Sequence, residues 1–352
     1  MIGMRRETSR RTHSRLALAL AFVPLAACAA VVDEPAGAVP AVPLPWQESS
    51  PLARTFLQLP FEGPAVTPVG SLEAGVAVLY ANSIFRDVNA SYSIDLHVET
   101  AQATVMLRTG VVPGVEFQLA IPVVVTTGGF LDRPIEVVEG VFHGSNPLRA
   151  QVPRSRAHVR LESQAGAGPG ASSGPTSLSF DGPAAGLGDV WTGFKFLVAN
   201  QSGVLPAVAI RAVLKLPTGL IPYGSGEADL GTSVILGWNV PALGIWLELD
   251  AMQPTGRAVL ADIRTRTYGA AQFGLTWQLS DVVALHGQAS AHASPLTGTG
   301  LSALDDPTFY VIAGTTVNLS RSVSADLGLV ENVFSPGRGA DFTILLGAKA
   351  RI

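Results

Sequence analysis

Residues 206–216 read Pro-Ala-Val-Ala-Ile-Arg-Ala-Val-Leu-Lys-Leu, and this stretch decides the fold class. Every second residue from Pro206 to Leu216 is apolar, whereas Arg211 and Lys215 lie at the positions between. A period of two is the period of a β-strand, because successive side chains of a strand point to opposite faces. The stretch is therefore predicted to be a strand with one apolar face and one face that carries charge.

The same alternation recurs from residue 70 to the end of the chain. Most of the alternating runs have about 9 to 12 residues, the length with which a tilted strand crosses a bilayer. The fold class predicted from them is all-β, an antiparallel up-and-down transmembrane β-barrel. The runs lie at 72–82, 98–108, 115–125, 190–200, 206–216, 230–240, 243–250, 268–279, 282–292, 309–319, 323–330 and 342–352.

The composition excludes several other classes of protein. The 352-residue chain is 47% hydrophobic, with a mean hydropathy of +0.35. Past residue 32, however, it has no apolar run of the roughly 18 residues that a membrane helix needs. The 37 glycines and 25 prolines argue against a helical bundle, since both residues destabilise helix interiors. A single cysteine excludes a disulfide framework and a zinc site built from several thiolates.

The connections between the runs are alternately long and short. Outer-membrane barrels have short periplasmic turns, longer outer loops and both termini in the periplasm, which requires an even number of strands. Counting a hairpin at 155–181 as two strands predicts 14 strands, and treating it as an insertion predicts 12. The long connections are 83–96, 127–154, 218–228, 251–265, 293–306 and 333–340, and the short ones are 110–114, 200–203, 240–241, 280–281 and 320–321.

A soluble β-sandwich with buried apolar faces would show the same alternation. Strand length, the order of the loops and a final strand that runs to Ile352 favour the barrel. The aromatic content, 7%, is low for a membrane barrel. The aromatic residues near strand ends are predicted to form sparse girdles, and they are Tyr80, Trp238, Tyr268, Trp277 and Tyr310.

Residues 1–27 are predicted to be a signal peptide. Five arginines precede an apolar run at 16–24, and the following Leu-Ala-Ala-Cys, which ends at Cys28, resembles the lipobox of bacterial lipoproteins. Cys28 is the predicted site of lipidation, with ordinary cleavage near Ala29 as the alternative. Residues 28–69 contain eight prolines and are predicted to form an extended tether, part of which could enter the barrel mouth. The barrel is assigned to residues 70–352.

Removing the signal peptide changes the charge balance. The first 27 residues hold five Arg and one Glu, so the rest of the chain has 18 basic and 26 acidic residues and a formal charge of −8. An acidic exported chain has no electrostatic reason to bind nucleic acid. The lipid bilayer and an unidentified solute are the expected partners.

The polar face of the strands is predicted to line the lumen. Charges of both signs on neighbouring strands can pair into a network that plugs a narrow barrel, or they can line a wet channel. No cluster of one sign indicates selectivity for anions or cations. The candidate lining residues are Arg108, Glu116, Lys195, Arg211, Lys215, Glu248, Asp250, Gln272 and His286.

Catalytic, cofactor and metal motifs are missing from the sequence. There is no G-x-S-x-G, no H-E-x-x-H and no phosphate-binding loop. His286 and His292 would lie about 20 Å apart on an extended strand, too far to share one metal ion. A serine hydrolase site could use His286 and Ser290, although polar residues on a lumen face are more often lining residues. The sequence therefore predicts no enzyme, no cofactor and no metal.

Three segments have more specific wording than a generic strand. Lys-Leu-Pro-Thr-Gly at 215–219 precedes Ser-Gly-Glu-Ala-Asp at 225–229, Gly-Leu-Gly-Asp occupies 186–189, and Gly-Phe-Leu-Asp at 129–132 precedes Phe-His at 142–143 and an Arg. Together they resemble the bacterial family called domain of unknown function 3187, over roughly residues 70–352. The first pair is also similar to a putative phenol-degradation outer-membrane family. The resemblance implies an exported barrel-like protein of unknown activity, with motif positions Asp132, His143, Arg149, Asp189, Lys215, Pro217, Gly219, Gly226 and Asp229.

Lys215 and Asp229 are predicted to face each other across the 218–228 loop and to form an ion pair that sets the register of this hairpin. Gly224 and Gly226 are predicted to supply positive φ in the turn. The function predicted overall is an outer-membrane barrel with a structural role or with passive uptake of small or hydrophobic solutes. The alternatives are a lipid-anchored periplasmic β-sandwich that acts as a binding or scaffold module and, third, a lipid-modifying barrel enzyme.

Overall fold

The computed structural model describes residues 42–142, 148–164, 176–256 and 263–352. The predicted signal peptide, Cys28 and His143 lie outside these ranges. No helix within them is long and apolar enough to cross a membrane. The strands are β1 Leu72–Val88, β2 Tyr92–Val112, β3 Val115–Thr127, β4 His158–Ser163, β5 Thr176–Asp181, β6 Ala184–Leu187, β7 Trp191–Ala199, β8 Ala207–Lys215, β9 Asp229–Val240, β10 Leu243–Pro254, β11 Arg264–Thr265, β12 Tyr268–Gln278, β13 Val283–His292, β14 Leu296–Thr297, β15 Thr308–Asn318, β16 Val323–Glu331 and β17 Phe342–Arg351, and the helices are α1 Asp132–Phe142, α2 Ser302–Asp305 and the 3₁₀ turns Ala53–Thr55 and Arg149–Gln151.

Twelve of the strands form a closed antiparallel barrel. They follow one another around the wall as β1, β2, β3, β7, β8, β9, β10, β12, β13, β15, β16 and β17, and β17 pairs with β1 from Glu73–Arg351 to Asn82–Phe342. The hairpin predicted at 155–181 is an insertion, because β4 and β5 extend from the far end of β2 instead of entering the wall. The predicted up-and-down barrel is confirmed, with the lower of the two predicted strand numbers.

The two faces of the wall are arranged as lipid and lumen require. In β8, Ile210 and Leu214 are 42% and 38% exposed on the outside, whereas Arg211 and Lys215 lie inside and are buried. A soluble sandwich would bury the leucines and expose the charges. The alternative of a periplasmic β-sandwich is therefore wrong, since the apolar residues of this wall cover its outer surface.

The connections confirm the predicted alternation, apart from the first. Short turns such as 113–114, 241–242 and 319–322 lie at one end of the barrel, here called the turn end, and the longer connections lie at the other, the loop end. The predicted long connection at 83–96 is wrong, because β1 and β2 continue through it and are joined by 89–91. This extension is stable because β2 pairs there with β1 on one side and β4 on the other.

The long connections close over the loop end with an apolar core of their own. Its members come from the extended β1–β2 hairpin, β4, the small β11–β14 sheet and α2. Phe85, Ile94, Val159, Leu296 and Leu304 are all less than 6% exposed. The loop end is therefore covered by packed side chains.

Residues 42–67, here called the lumen segment, lie inside the barrel. The chain is extended, as its prolines dictate, except for the 3₁₀ turn Ala53–Thr55. It rises from the turn end, reverses near this 3₁₀ turn at the loop end, and descends to Val69, which bridges Gly110 before β1 begins. Trp46 and Phe61 are almost completely buried. The described part of the predicted tether is thus packed within the wall.

The predicted aromatic girdle is only partly present. Trp277 is 57% exposed on the outer surface. Tyr268 and Tyr310, by contrast, point into the lumen, where their hydroxyls donate hydrogen bonds to the Leu57 carbonyl and the Glu48 carboxylate. These two tyrosines bind the lumen segment, and assigning them to a girdle was wrong.

Candidate functional site in the barrel lumen

The backbone of the lumen segment is bound by side chains of the wall. The amide of Thr67 donates to Glu116 Oε2 at 2.6 Å, and the amide of Leu57 donates to Asp229 Oδ2 at 2.8 Å. On the other limb, the Leu44 amide donates to the side-chain oxygen of Gln288 at 2.7 Å. An extended chain that pairs with no strand needs partners for its buried amides, and the polar face of the wall supplies them.

Glu62 is the centre of a buried charge network. Its carboxylate lies 2.8 Å from Lys195 Nζ, accepts a hydrogen bond from Arg211 and lies 3.7 Å from Arg108 Nη2. The Glu62 amide also donates to Glu248, which forms an ion pair with Arg211. Buried charges are stable only when they are paired and hydrogen-bonded. The lumen segment therefore supplies the anion that joins cations from β2, β7 and β8.

The other candidate lining residues extend this network or bind the segment separately. Glu116 lies 3.2 Å from Lys195, and Asp250 accepts a hydrogen bond from Ser233 at 2.5 Å. Gln272 donates to Asp250 at 3.3 Å and to the Leu59 carbonyl at 3.4 Å. His286 is held between two threonine hydroxyls at 3.1 and 2.7 Å.

All nine candidate lining residues thus have side chains on the inner face. They contact each other or the lumen segment, and they do not surround a continuous passage. Glu62 itself was missed by sequence reasoning because it lies in a proline-rich run without a strand period. No feature of that run distinguishes it from a solvated acid.

Glycines on the inner face leave room for the segment. A Cβ added to Gly231 would lie 2.6 Å from Leu57, one on Gly274 would lie 2.8 Å from Phe61, and one on Gly314 would lie 2.6 Å from Leu44. A glycine inside a strand often marks the close approach of another chain. These inward glycines are the signal in the sequence that could have located the segment.

The first motif cluster joins three sequence segments around Lys215. Its Nζ lies 2.9 Å from Asp229 and 3.1 Å from Asp189, and it donates to the Thr55 carbonyl at 2.6 Å. The ion pair with Asp229 that the sequence predicts is therefore present, with the two residues opposite each other in β8 and β9. The additional contact with Thr55 anchors the top of the lumen segment to the wall.

The glycines of this cluster have two different roles. Gly226 has φ +70°, as predicted for the turn. Gly224 does not have positive φ, and its role is close packing, since a Cβ there would lie 2.5 Å from Asp189 Oδ1. Asp189 also accepts hydrogen bonds from the Gly219 and Ser225 amides at 2.8 and 2.9 Å. Pro217, which follows β8, is exposed.

The second motif cluster holds the longest connection. Arg149 donates to Asp132 at 3.0 Å, to Asn82 at 2.8 Å and to Asp341 at 3.0 Å, so it links α1, β1 and the connection before β17. Burial alone would raise the pKa of Asp132, but hydrogen bonds from His97 and the Ser155 amide, with Arg149 nearby, lower that pKa to about 2. The Asp132 carboxylate is therefore ionised at neutral pH.

Glu99 on β2 fixes the start of the same connection. It accepts hydrogen bonds from the Leu131 amide at 2.7 Å, the Phe130 amide at 2.9 Å and the Tyr80 hydroxyl at 2.7 Å. Gly129, with φ +62°, would place a Cβ only 1.7 Å from this carboxylate. The glycine of the motif is needed for this close approach. Glu99 was not singled out from the sequence, because one acid within an alternating run has no distinctive spacing.

The lumen does not assemble the serine hydrolase site considered from the sequence. His286 contacts threonines, while Ser290 is hydrogen-bonded to His292 Nε2. The His292 Nδ1 atom has no hydrogen-bond partner within the described ranges, so no acid orients this ring. The described residues also contain no group of three or more His, Cys, Asp or Glu placed to hold a metal ion.

Together, the closed wall, the outward apolar face and the polar interior define a transmembrane β-barrel of the outer-membrane type. The chain belongs to the family of proteins of unknown function called DUF3187, whose model matches residues 20–352. No curated protein matches the chain in sequence.

Two solved structures illustrate the similarity of the fold. The COG4313 outer-membrane channel of Pseudomonas putida F1 is 10% identical with a TM-score of 0.55, and the match covers 82% of this chain and 98% of the channel. The NanC porin is 7% identical with a TM-score of 0.45, and the match covers 80% of this chain and 100% of the porin.

Proposed function

We propose that the protein is an outer-membrane channel for small solutes whose lumen is closed at rest by residues 42–67. Barrels of about eight strands are filled by their own side chains, whereas those of 16 to 18 strands leave an aqueous channel. A wall of twelve strands lies between these sizes, and here the remaining space holds a separate length of chain. The similarity to the COG4313 channel supports the proposal at the level of the fold.

The observation that carries the proposal is the way Glu62 is bound. Cations from three wall strands converge on one carboxylate of a segment that is not part of the wall. If the segment moves away, the polar groups that it leaves behind are groups that water can solvate. An apolar lumen surface would lack this property, so the wall is suited to both a filled and a water-filled state.

The composition of the lumen favours small uncharged or weakly polar solutes. The cavity at the turn end is lined by Glu73 and Glu116 as well as by Arg108, Lys349 and Arg351, so neither sign of charge dominates. The loop end is covered by the apolar core described above, which favours entry of solutes with apolar surface. This agrees with uptake of small or hydrophobic solutes.

Planar-bilayer conductance tests the proposal directly. The full chain is expected to be closed for most of the time, deletion of residues 42–67 to give large and lasting conductance, and Glu62→Ala to give frequent openings of intermediate size. Glu162→Gln is the matched control, since Glu162 lies on β4 outside the barrel wall and pairs with the exposed Arg160. A folded deletion variant that conducts no better than the full chain would instead establish a structural role.

Export and anchoring belong to the same proposal. Cleavage of residues 1–27 and lipidation of Cys28 would attach the chain to the membrane near the turn end, because Val42 contributes to the cavity there. The 14 residues from Cys28 to Val42 can span at most about 50 Å. Labelling with a radioactive fatty acid tests this: the full chain should incorporate the label, and Cys28→Ser should not.

A further inference from the structure

One cation of the lumen segment is buried without a partner. Arg54 lies in the 3₁₀ turn at the top of the segment and is only 7% exposed. None of its three guanidinium nitrogens makes a hydrogen bond, and Arg54 forms no ion pair within the described part of the chain. A guanidinium stays charged at neutral pH, and a buried charge without a counter-charge is strongly destabilising. The geometry therefore calls for an anion at this position.

The guanidinium lines a cavity that contains other unsatisfied polar groups. The hydroxyl of Tyr223, a residue that is 9% exposed, has no hydrogen-bond partner among the described residues and can donate into the cavity. The side-chain oxygen of Gln58 likewise has no donor there, which a water molecule beside the anion can supply. The wall and the lumen segment thus bring two unused donors and one unused acceptor together.

The acid that lines the same cavity does not neutralise Arg54. Asp189 is held by Lys215 at 3.1 Å and by the Gly219 and Ser225 amides at 2.8 and 2.9 Å. Its two oxygens are therefore engaged in the motif cluster. The positive charge of Arg54 is left over after this pairing.

The size of the cavity decides the class of anion. The space accessible to water is about 20 Å³, close to what one or two water molecules occupy. An organic acid with an aromatic ring or an alkyl chain needs several times this space. A monatomic anion fits without displacing the packed side chains Phe56 and Trp191 that line the cavity.

We propose that Arg54 and the Tyr223 hydroxyl bind a small inorganic anion of the chloride class inside the lumen. The site lies where the lumen segment reverses, so the anion joins the segment to the 218–228 connection that carries Tyr223. Binding there stabilises the filled state of the lumen. This inference does not depend on whether the filled barrel opens as a channel.

Anion-dependent thermal unfolding of the full chain in detergent tests the site. In sodium chloride, the unfolding temperature should lie a few degrees above its value in sodium gluconate of equal ionic strength, and Arg54→Gln should lose this difference. Arg86→Gln is the matched control, because Arg86 is exposed and pairs with Asp95 outside the barrel. It should keep the full difference between the two salts.

Crystals grown in sodium bromide give a second readout that needs no variant. An anomalous peak within hydrogen-bond distance of the Arg54 guanidinium supports the proposal, even if Arg54→Gln does not fold. Absence of a peak, together with equal unfolding temperatures in chloride and gluconate, overturns it. Stabilisation by acetate or formate but not by chloride overturns the assignment to an inorganic anion and indicates a carboxylate site.

Discussion

The wall and the lumen segment reach the same degree of burial by opposite routes. Each wall strand pairs with its neighbours through its own backbone, so its hydrogen bonds are satisfied whatever its inner side chains contact. The lumen segment pairs with no strand, and its amides depend on side chains such as Glu116, Asp229 and Gln288. The comparison shows that the wall specifies itself, whereas the segment is specified by the wall.

The largest expected effect comes from removing the cation between the two regions. Arg211→Met leaves Glu62 and Glu248 buried without their shared partner, and it should lower the free energy of unfolding by about 3–5 kcal/mol. The measurement is urea unfolding of the full chain in detergent or lipid vesicles. Arg160→Met, on the exposed face of β4, is the control and should change stability by less than about 0.5 kcal/mol.

Adding Glu62→Gln to Arg211→Met should recover part of this loss, because one unpaired buried charge is then removed. A double variant as unstable as the sum of the two single variants would show that the two residues do not interact.

A smaller effect is expected at the contact between the Lys215 cluster and the segment. Asp229→Asn keeps the shape but weakens the bonds to Lys215 and to the Leu57 amide, so it should cost about 1–3 kcal/mol. Exchanging the charges of Lys215 and Asp229 should restore only part of the stability, because Asp189 would then face a second carboxylate. Urea unfolding of each variant measures both effects.

If the exchanged pair folds no better than either single reversal, the cross-strand pair does not set the register of this hairpin. The wall would then hold its register through backbone pairing alone, which would sharpen the contrast with the segment.

The smallest effect concerns the connection that covers the lumen and depends on pH. The pKa of Asp132 is lowered in the fold to about 2, below the roughly 3.9 of an unfolded aspartate, so its stabilising effect is present above pH 4 and is lost as pH falls through 2. Hydrogen exchange of the amides at 128–135 should therefore accelerate by about tenfold between pH 5 and pH 2, after correction for the intrinsic rates. In Asp132→Asn, the corrected exchange should be fast throughout this range, and a variant with the same pH dependence as the parent would contradict the role of Asp132.

How far the sequence could predict each region follows from the range of its interactions. In β8, the side of every residue follows from its neighbours, so Arg211 and Lys215 could be placed on the inner face in advance. The 83–96 connection was misread because its polar residues Arg86 and Asp95 look like a loop, and only their pairing across two extended strands makes them part of a hairpin. Glu62 could not be found, because its partners are 46 to 149 residues away along the chain.

The sequence by itself determined the barrel, its outward apolar face and its even number of strands, because each of these follows from a period of two and from the order of long and short connections. The tertiary structure alone decided between 12 and 14 strands, since β4 and β5 pair with the extension of β2 rather than with the wall. It also decided that the lumen is filled. The contact from Leu44 to Gln288, 244 residues apart, shows the physical reason: a segment without its own hydrogen-bond pattern takes its position from the surface that satisfies its amides.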